Sequence, residues 1–213
     1  MSTGTRKRLT APARREVIER AATEVFAERG YAGASIDEIA GRSGVSPPVV
    51  YDHFASKQEL HRRLLERHFA ELRAVWREHL LRDEPAERRI ARAIDAWFAY
   101  VESHPYAWRM LFRETTGDPE VEAIHREVAA SSRAAVLPLL AREAGADRLA
   151  GAAGDEAMDM AWEVVRAILQ GLALWWYEHQ HVPRARVVAT AMNALWIGFD
   201  RLRQGEAWVP DSD

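Results

Sequence analysis

The sequence predicts an all-α protein: an N-terminal three-helix helix-turn-helix domain followed by a longer helical domain, about nine helices in total. Three observations carry this. Apolar residues recur at spacings of three and four along most of the chain, and Ser35 to Leu60 holds three helix starts in 26 residues. No segment alternates apolar and polar residues as a half-buried strand does. The 213 residues are 48% hydrophobic and 29% charged, enough apolar content for a substantial core.

The first ten residues have no apolar periodicity and are expected to lack fixed structure. Thr10 can cap a first helix with Pro12 in its first turn. Val17, Ile18, Ala21, Ala22, Val25 and Phe26 then form one apolar face, and Gly30 ends the helix. Ser35 and Glu38 have the spacing of a capping box, as do Ser56 and Glu59. Between them Ser46 reads as an N-cap before Pro47, and Gly44 permits the tight turn. Ile36, Ile39, Ala40, Val45, Val50 and Phe54 face inward. A short helix, a turn and a second short helix make a helix-turn-helix, whose second helix lies in a DNA major groove.

A fourth helix runs from Ser56 to about Arg82 on Leu60, Leu64, Leu65, Phe69, Leu72, Val75, Trp76 and Leu80. Asp83 to Pro85 breaks it, and a fifth spans Glu87 to Ser103. His104 before Pro105 forces another break, followed by a short aromatic helix from Tyr106 to Glu114. A turn at Thr116 to Pro119 starts a seventh helix, which reaches about Ala144 with Pro138 inside it. Gly145 to Gly154 reads as a loop, and Asp155 as the cap of an eighth helix bearing Met158, Trp162, Val165, Leu169, Leu172 and Trp176. After a connector at His179 to Pro183, the last helix spans Arg184 to Arg203, and the chain beyond Gly205 looks unstructured.

Charge and composition narrow the function. Net charge is −3, yet residues 1–15 carry Arg6, Lys7, Arg8, Arg14 and Arg15 without an acid, a local +5 beside the helix-turn-helix. Residues 61–213 carry 20 basic and 24 acidic side chains, a net −4. No cysteine occurs, which excludes disulfides and thiolate metal sites. There is no apolar run of membrane-spanning length and no signal segment, so a cytoplasmic protein without membrane partners is expected. His179 and His181, or His61 and His68, lack a third ligand at suitable spacing; no metal or cofactor is predicted.

Residues 12–60 resemble the DNA-binding domain of the TetR (tetracycline-repressor-like) family of transcriptional regulators. The matching residues are Phe26 to Tyr31, Ile39, Ala40, Gly44 to Ser46, Tyr51, His53, Phe54, Ser56, Lys57 and Leu60. The resemblance implies a homodimer whose two recognition helices enter successive major grooves of a palindromic operator. A small, largely apolar effector bound in the C-terminal half would change their spacing and release the DNA. It implies a DNA-binding domain over residues 1–55 and a ligand-binding and dimerisation domain over 56–213. The expected role is a ligand-responsive regulator, a repressor, with no enzymatic activity. An all-helical small-molecule-binding protein or enzyme without operator binding is the alternative, and activation is an alternative to repression.

Carried over residue by residue, Ser35, Tyr51, His53 and Lys57 fall at phosphate contacts. Ser46, Pro47, Pro48, Val49 and Asp52 line the recognition helix, with Arg14 and Arg42 nearby. A cation such as Lys57 in the first turn of a helix opposes the helix dipole, so a phosphate partner explains it better than helix stability does. The recognition helix has no Arg, Lys, Asn or Gln to pair bidentately with guanine or adenine. Apolar contacts to thymine methyls, DNA shape and the basic arm are expected to supply specificity. Effector contacts are expected from Trp97, Tyr100, Tyr106, Trp108, Met110, Phe112, His125 and Trp162. Dimer contacts are expected from Leu172, Trp175, Trp176, Ala191, Ala194 and Gly198, large knobs on one helix meeting small residues on the next.

Overall fold

The computed structural model describes residues 10–112, 119–144 and 146–204. Among these residues there are nine helices and no strand: α1 (Ala11–Gly33), α2 (Ile36–Ser43), α3 (Pro47–Tyr51), α4 (Lys57–Leu80), α5 (Ala86–Ser103), α6 (Pro105–Phe112), α7 (Pro119–Ala144), α8 (Ala146–Glu178) and α9 (Arg184–Arg203). The basic arm at 1–9, Glu114, the turn at 116–118, Gly145 and the tail from 205 lie outside the described residues.

Most boundaries follow from local chemistry. The Thr10 hydroxyl accepts from the Ala13 amide at 3.4 Å, with Pro12 in the first turn where its missing N–H is harmless. Gly30, at φ 71 and ψ 171, breaks α1 and lets Tyr31–Gly33 add one offset turn. Gly44, in the left-handed region at φ 67 and ψ 29, closes α2. The expected loop at 145–154 is a correction: α8 is already helical from Ala146, so Asp155 lies inside the helix and does not cap it. Four alanines, the best helix formers, outweigh Gly151 and Gly154 at about 1 kcal/mol each once the helix has a long downstream nucleus to extend.

The chain divides into two compact units. The first comprises residues 10–68 and 106–128, so α6 and the start of α7 belong with the helix-turn-helix. Its core includes Ile18, Ala22, Val25, Phe26, Ile39, Val50, Phe54, Leu60, Leu64 and Leu65, all nearly inaccessible. The apolar core also takes in one carboxylate. Glu19 is 4% exposed and receives Arg63 Nε at 2.7 Å and Arg67 Nη1 at 2.9 Å, with Arg15 at 3.4 Å. Burial alone would push its pKa up; the hydrogen bonds and charges of Arg63 and Arg67 more than offset this and hold it below 4.5.

The second unit comprises residues 69–105 and 129–204. Its main contacts run from α5 and α8 to α9. Phe98 stands edge-on to Trp97 at 5.0 Å and to Trp176 at 5.9 Å, and the Trp176 indole donates to the Val182 carbonyl at 2.7 Å. Arg184, the first residue of α9, reaches Asp95 at 2.9 Å and Glu102 on α5.

Glu19→Ala removes the counter-charge of three guanidiniums. It is expected to cost about 2 kcal/mol in urea denaturation, less than a fully buried pair because Arg63 and Arg67 are about half exposed. The depressed pKa gives stability that is present above pH 4.5 and is lost as pH falls below it, and Glu19→Gln should flatten that acid limb.

Candidate nucleic-acid interface

The helix-turn-helix is assembled by caps that differ in detail from the two predicted boxes. The Ser35 hydroxyl accepts from the Glu38 amide at 3.1 Å, but the Glu38 carboxylate does not reach back. It accepts from Arg42 at 2.9 Å and pairs with Arg29 at 3.5 Å, so only half the box forms. At the second box Ser56 accepts from the Glu59 amide at 3.0 Å, and the Glu59 carboxylate accepts from Ala55, one residue before the cap, at 2.5 Å. Ser46 occupies the N-cap position of α3 with extended backbone, yet its hydroxyl makes no capping bond. Prolines at the first two helical positions have no N–H to cap. The remaining amide, that of Val49, bonds the Ser46 carbonyl at 3.0 Å.

Two buried side chains anchor α3, Val50 at 0% and Phe54 at 1% exposure. Around them Ser46, Pro48, Tyr51 and Asp52 are exposed, while Pro47, Val49 and His53 are half-buried. Tyr51 is 53% exposed, which sets aside a core role for its ring.

The nearby cations have partners inside the protein. Lys57 Nζ donates to the carbonyls of Tyr31 at 2.9 Å and Ala34 at 3.0 Å, and stands 4.3 Å from the centre of the Tyr31 ring. It therefore caps the end of α1, which gives a cation at this helix start a structural partner beside the phosphate expected from the sequence. Arg42 bonds Glu28 at 2.6 Å and Glu38 at 2.9 Å; those two carboxylates, Glu28 foremost, raise its pKa further. Arg14 is half-buried in the first turn of α1.

Against α1, His61 on α4 is 2% exposed and stands edge-on to Phe26 at 4.8 Å and Tyr31 at 5.1 Å. Burial pushes its pKa down to about 4, helped by the charges of His125 and Lys57. His125 on α7 bonds the Leu111 carbonyl of α6; burial lowers its pKa too, and that bond opposes the shift. Arg62 reaches Glu127 at 3.2 Å. These contacts tie α7 to α6 through His125 and to the first turns of α4 through Arg62.

The eight expected effector residues divide between the units. Trp97, Tyr100 and Trp162 belong to one; Tyr106, Trp108, Met110, Phe112 and His125 belong to the other. Trp97, Tyr100, Trp108 and Met110 are buried, Phe112, His125 and Trp162 half-buried, and Tyr106 exposed. The Tyr100 hydroxyl donates to Glu71 at 3.0 Å and its ring stacks on His104. A surface cleft of about 330 Å³ between α4 and α7, lined by Ser56, Gln58, Glu59, Arg62, Glu120, Ala123, Ile124 and Glu127, includes none of the eight.

Of the six expected dimer residues, Trp176 and Ala191 are consumed by the core of their own chain at 2% and 0% exposure. Leu172 is half-buried, whereas Trp175, Ala194 and Gly198 are exposed. Trp175 continues a stripe on α8 that the sequence reading missed, formed by Met160, Val164, Ala167, Gly171 and Leu174, all exposed. Its spacing of four and three is out of phase with the inward set Trp162, Val165, Leu169 and Trp176. A helix apolar on more than one face was the available signal.

Comparison with known proteins agrees with this geometry. Residues 18–64 match the family described as bacterial regulatory proteins, tetR family, and residues 86–198 match the tetracyclin repressor-like C-terminal domain. The chain is 36% identical over 196 residues to the HTH-type transcriptional activator FasR of Mycolicibacterium smegmatis, covering 92% of this chain and 87% of that protein. A TetR-like transcriptional regulator from Rhodococcus sp. RHA1 superposes with a TM-score of 0.73 at 20% identity, covering 91% of this chain and 99% of that one. The regulator FadR from Bacillus subtilis, solved in complex with stearoyl-CoA, superposes at 0.66 and 18% identity, covering 90% and 99%. The chain belongs to the TetR family of transcriptional regulators and is a DNA-binding regulator of transcription. Among the described residues no helix is long and apolar enough to cross a membrane.

Ser35→Ala is expected to lower stability by about 1 kcal/mol in urea denaturation, and Ser46→Ala to leave it unchanged within about 0.5 kcal/mol. His61 stabilises the fold fully above its unfolded value of 6.5, and this is lost as pH falls toward 4. Stability should drop by up to about 1.4 kcal/mol per pH unit in that window for this residue, and His61→Leu should flatten the slope.

Proposed function

We propose that the protein is a ligand-responsive regulator that docks as a homodimer on a palindromic operator, with α3 in the major groove of each half-site. The observation that carries this reading is the outward presentation of Ser46, Pro48, Tyr51 and Asp52 from a short helix anchored by Val50 and Phe54. Residues 1–55 supply the DNA contacts, with Ser35, Tyr51 and His53 on phosphates and the basic arm adding charge. Lys57 and Arg42 act mainly by holding the unit together. Residues 56–213 bind the effector and the second subunit.

The exposed α8 stripe supports the dimer. With Ala194, Ile197 and Gly198 exposed on α9, it offers apolar ridges and small residues suited to a four-helix bundle with a second copy. The effector is a largely apolar small molecule, for which a long-chain acyl thioester is the leading candidate. The stearoyl-CoA complex of FadR and the aromatic content of α5 and α6 support that class. Trp97 and Trp162, which belong to one unit, remain its candidate contacts. Binding shifts the population toward dimers whose α3 spacing no longer matches DNA. Repression is the expected sign; the name of the FasR relative favours activation as a second reading.

The test is fluorescence anisotropy on a duplex selected by the protein from a randomised pool. Stearoyl-CoA, but not CoA alone, should weaken DNA binding tenfold or more; equal affinity with and without it would sink the effector reading. Ile197→Glu combined with Trp175→Glu should yield a monomer in sedimentation and lose more than tenfold in affinity. A reporter fused to a bound promoter then gives the sign: transcription rises on deletion of the regulator under repression and falls under activation.

A further inference from the structure

We propose that α3 selects its operator through the 5-methyl groups of pyrimidines, with Pro48 and Val49 as the reading side chains, so that 5-methylcytosine is read as thymine is. This rests on the major-groove docking proposed above.

Successive side chains of a helix are rotated by about 100°. Val50 points wholly into the core, so Pro48 and Asp52, two residues to either side, lie nearly opposite it, with Val49 and Tyr51 flanking them. The exposures agree, with Pro48, Tyr51 and Asp52 open and Val49 partly so. The groove-facing surface is thus a proline ring, an isopropyl group, a phenol and a carboxylate, with the Ser46 hydroxyl exposed at the start of the helix. None of them can donate a pair of hydrogen bonds to guanine O6 and N7, and none can pair bidentately with adenine.

Neighbouring cations do not make up the deficit. The Arg42 guanidinium is held by Glu28 at 2.6 Å and Glu38 at 2.9 Å, and the Lys57 ammonium by two carbonyls. Pro47 and Pro48 also remove the two amides that would otherwise form the positive end of α3. What remains to address a base pair is the Ser46 hydroxyl, which both donates and accepts and so discriminates little, and an apolar, rigid edge. The apolar group that a base presents in the major groove is the methyl at C5 of thymine, or of methylated cytosine. Asp52, an acceptor only, is limited to the exocyclic amines and is repelled by guanine O6 and N7, which directs the apolar edge away from guanine.

The test uses the full chain and a duplex that it selects from a randomised pool. Each thymine of the half-site is replaced in turn by deoxyuridine, which lacks the methyl and keeps every hydrogen-bonding atom. At the positions under α3, each replacement is expected to raise Kd about fourfold, the value of one buried methylene-sized group at about 0.8 kcal/mol. At those same positions 5-methylcytosine should bind more tightly than cytosine by a similar factor. In Pro48→Ala and Val49→Ala the deoxyuridine penalty should shrink toward onefold, a coupling that simple misfolding would not produce. Tight binding of the native duplex with no penalty at any deoxyuridine overturns the methyl reading. Failure to select any duplex overturns the docking reading beneath it.

Discussion

The DNA-binding unit depends on one ammonium group. Gly30 breaks α1, and the carbonyls of Tyr31 and Ala34 at the offset end of that helix receive Lys57 from the start of α4. A cation at a helix start is unfavourable by a few tenths of a kcal/mol, and two charge-assisted bonds outweigh it. Between these tied ends run α2, the Gly44 turn and α3, so their entry and exit are held together. Glu19 adds a second tie between α1 and α4 through Arg63 and Arg67. Val50 and Phe54 then need only fill the space this frame leaves, and α3 can be as short as five residues.

The same contacts explain how the unit distributes charge. Arg42, Arg63 and Arg67 bond carboxylates, Arg15 lies between Glu19 and the Phe54 ring, and Lys57 bonds carbonyls. The outward surface of α3 presents Ser46, Pro48, Tyr51 and Asp52 and no cation, while the first 15 positions of the sequence carry five basic residues and no acid. In the proposed docking, long-range attraction and base discrimination fall to different segments. The charged arm supplies salt-sensitive affinity and α3 supplies shape and apolar contact. Within the same unit His125 bonds α7 to the Leu111 carbonyl of α6, and the Arg62–Glu127 pair bonds α7 to α4.

Much of the fold was legible because its signals are local. Thr10, Gly30, Gly44 and the His104–Pro105 break mark helix ends by backbone chemistry alone, and α9 spans Arg184 to Arg203 as the spacing predicts. The errors arose where a local signal had a competitor. Glu38 had the spacing for a capping box, but Arg42 offered its carboxylate a charged partner. Ser46 looked like a cap, but the two prolines that follow left it no amide to serve. The glycines at 151 and 154 looked like a loop, but alanines and the cooperativity of a 33-residue helix carried α8 through them.

By itself the sequence determined the order of the helices found among the described residues, the identity of the helix-turn-helix and membership of the TetR family. These depend on periodicity, caps and short fixed spacings, which act within a turn or two of the residue concerned. Only the tertiary structure decided which of two adjacent tryptophans points inward: Trp176 fills the core against Phe98, and Trp175 stands outside. It alone showed that Lys57 bonds residues 23 and 26 positions away, and that Arg42 is committed to Glu28 on another helix. A helical repeat sets which residues share a face; the partner that reaches that face first is a matter of distance through space.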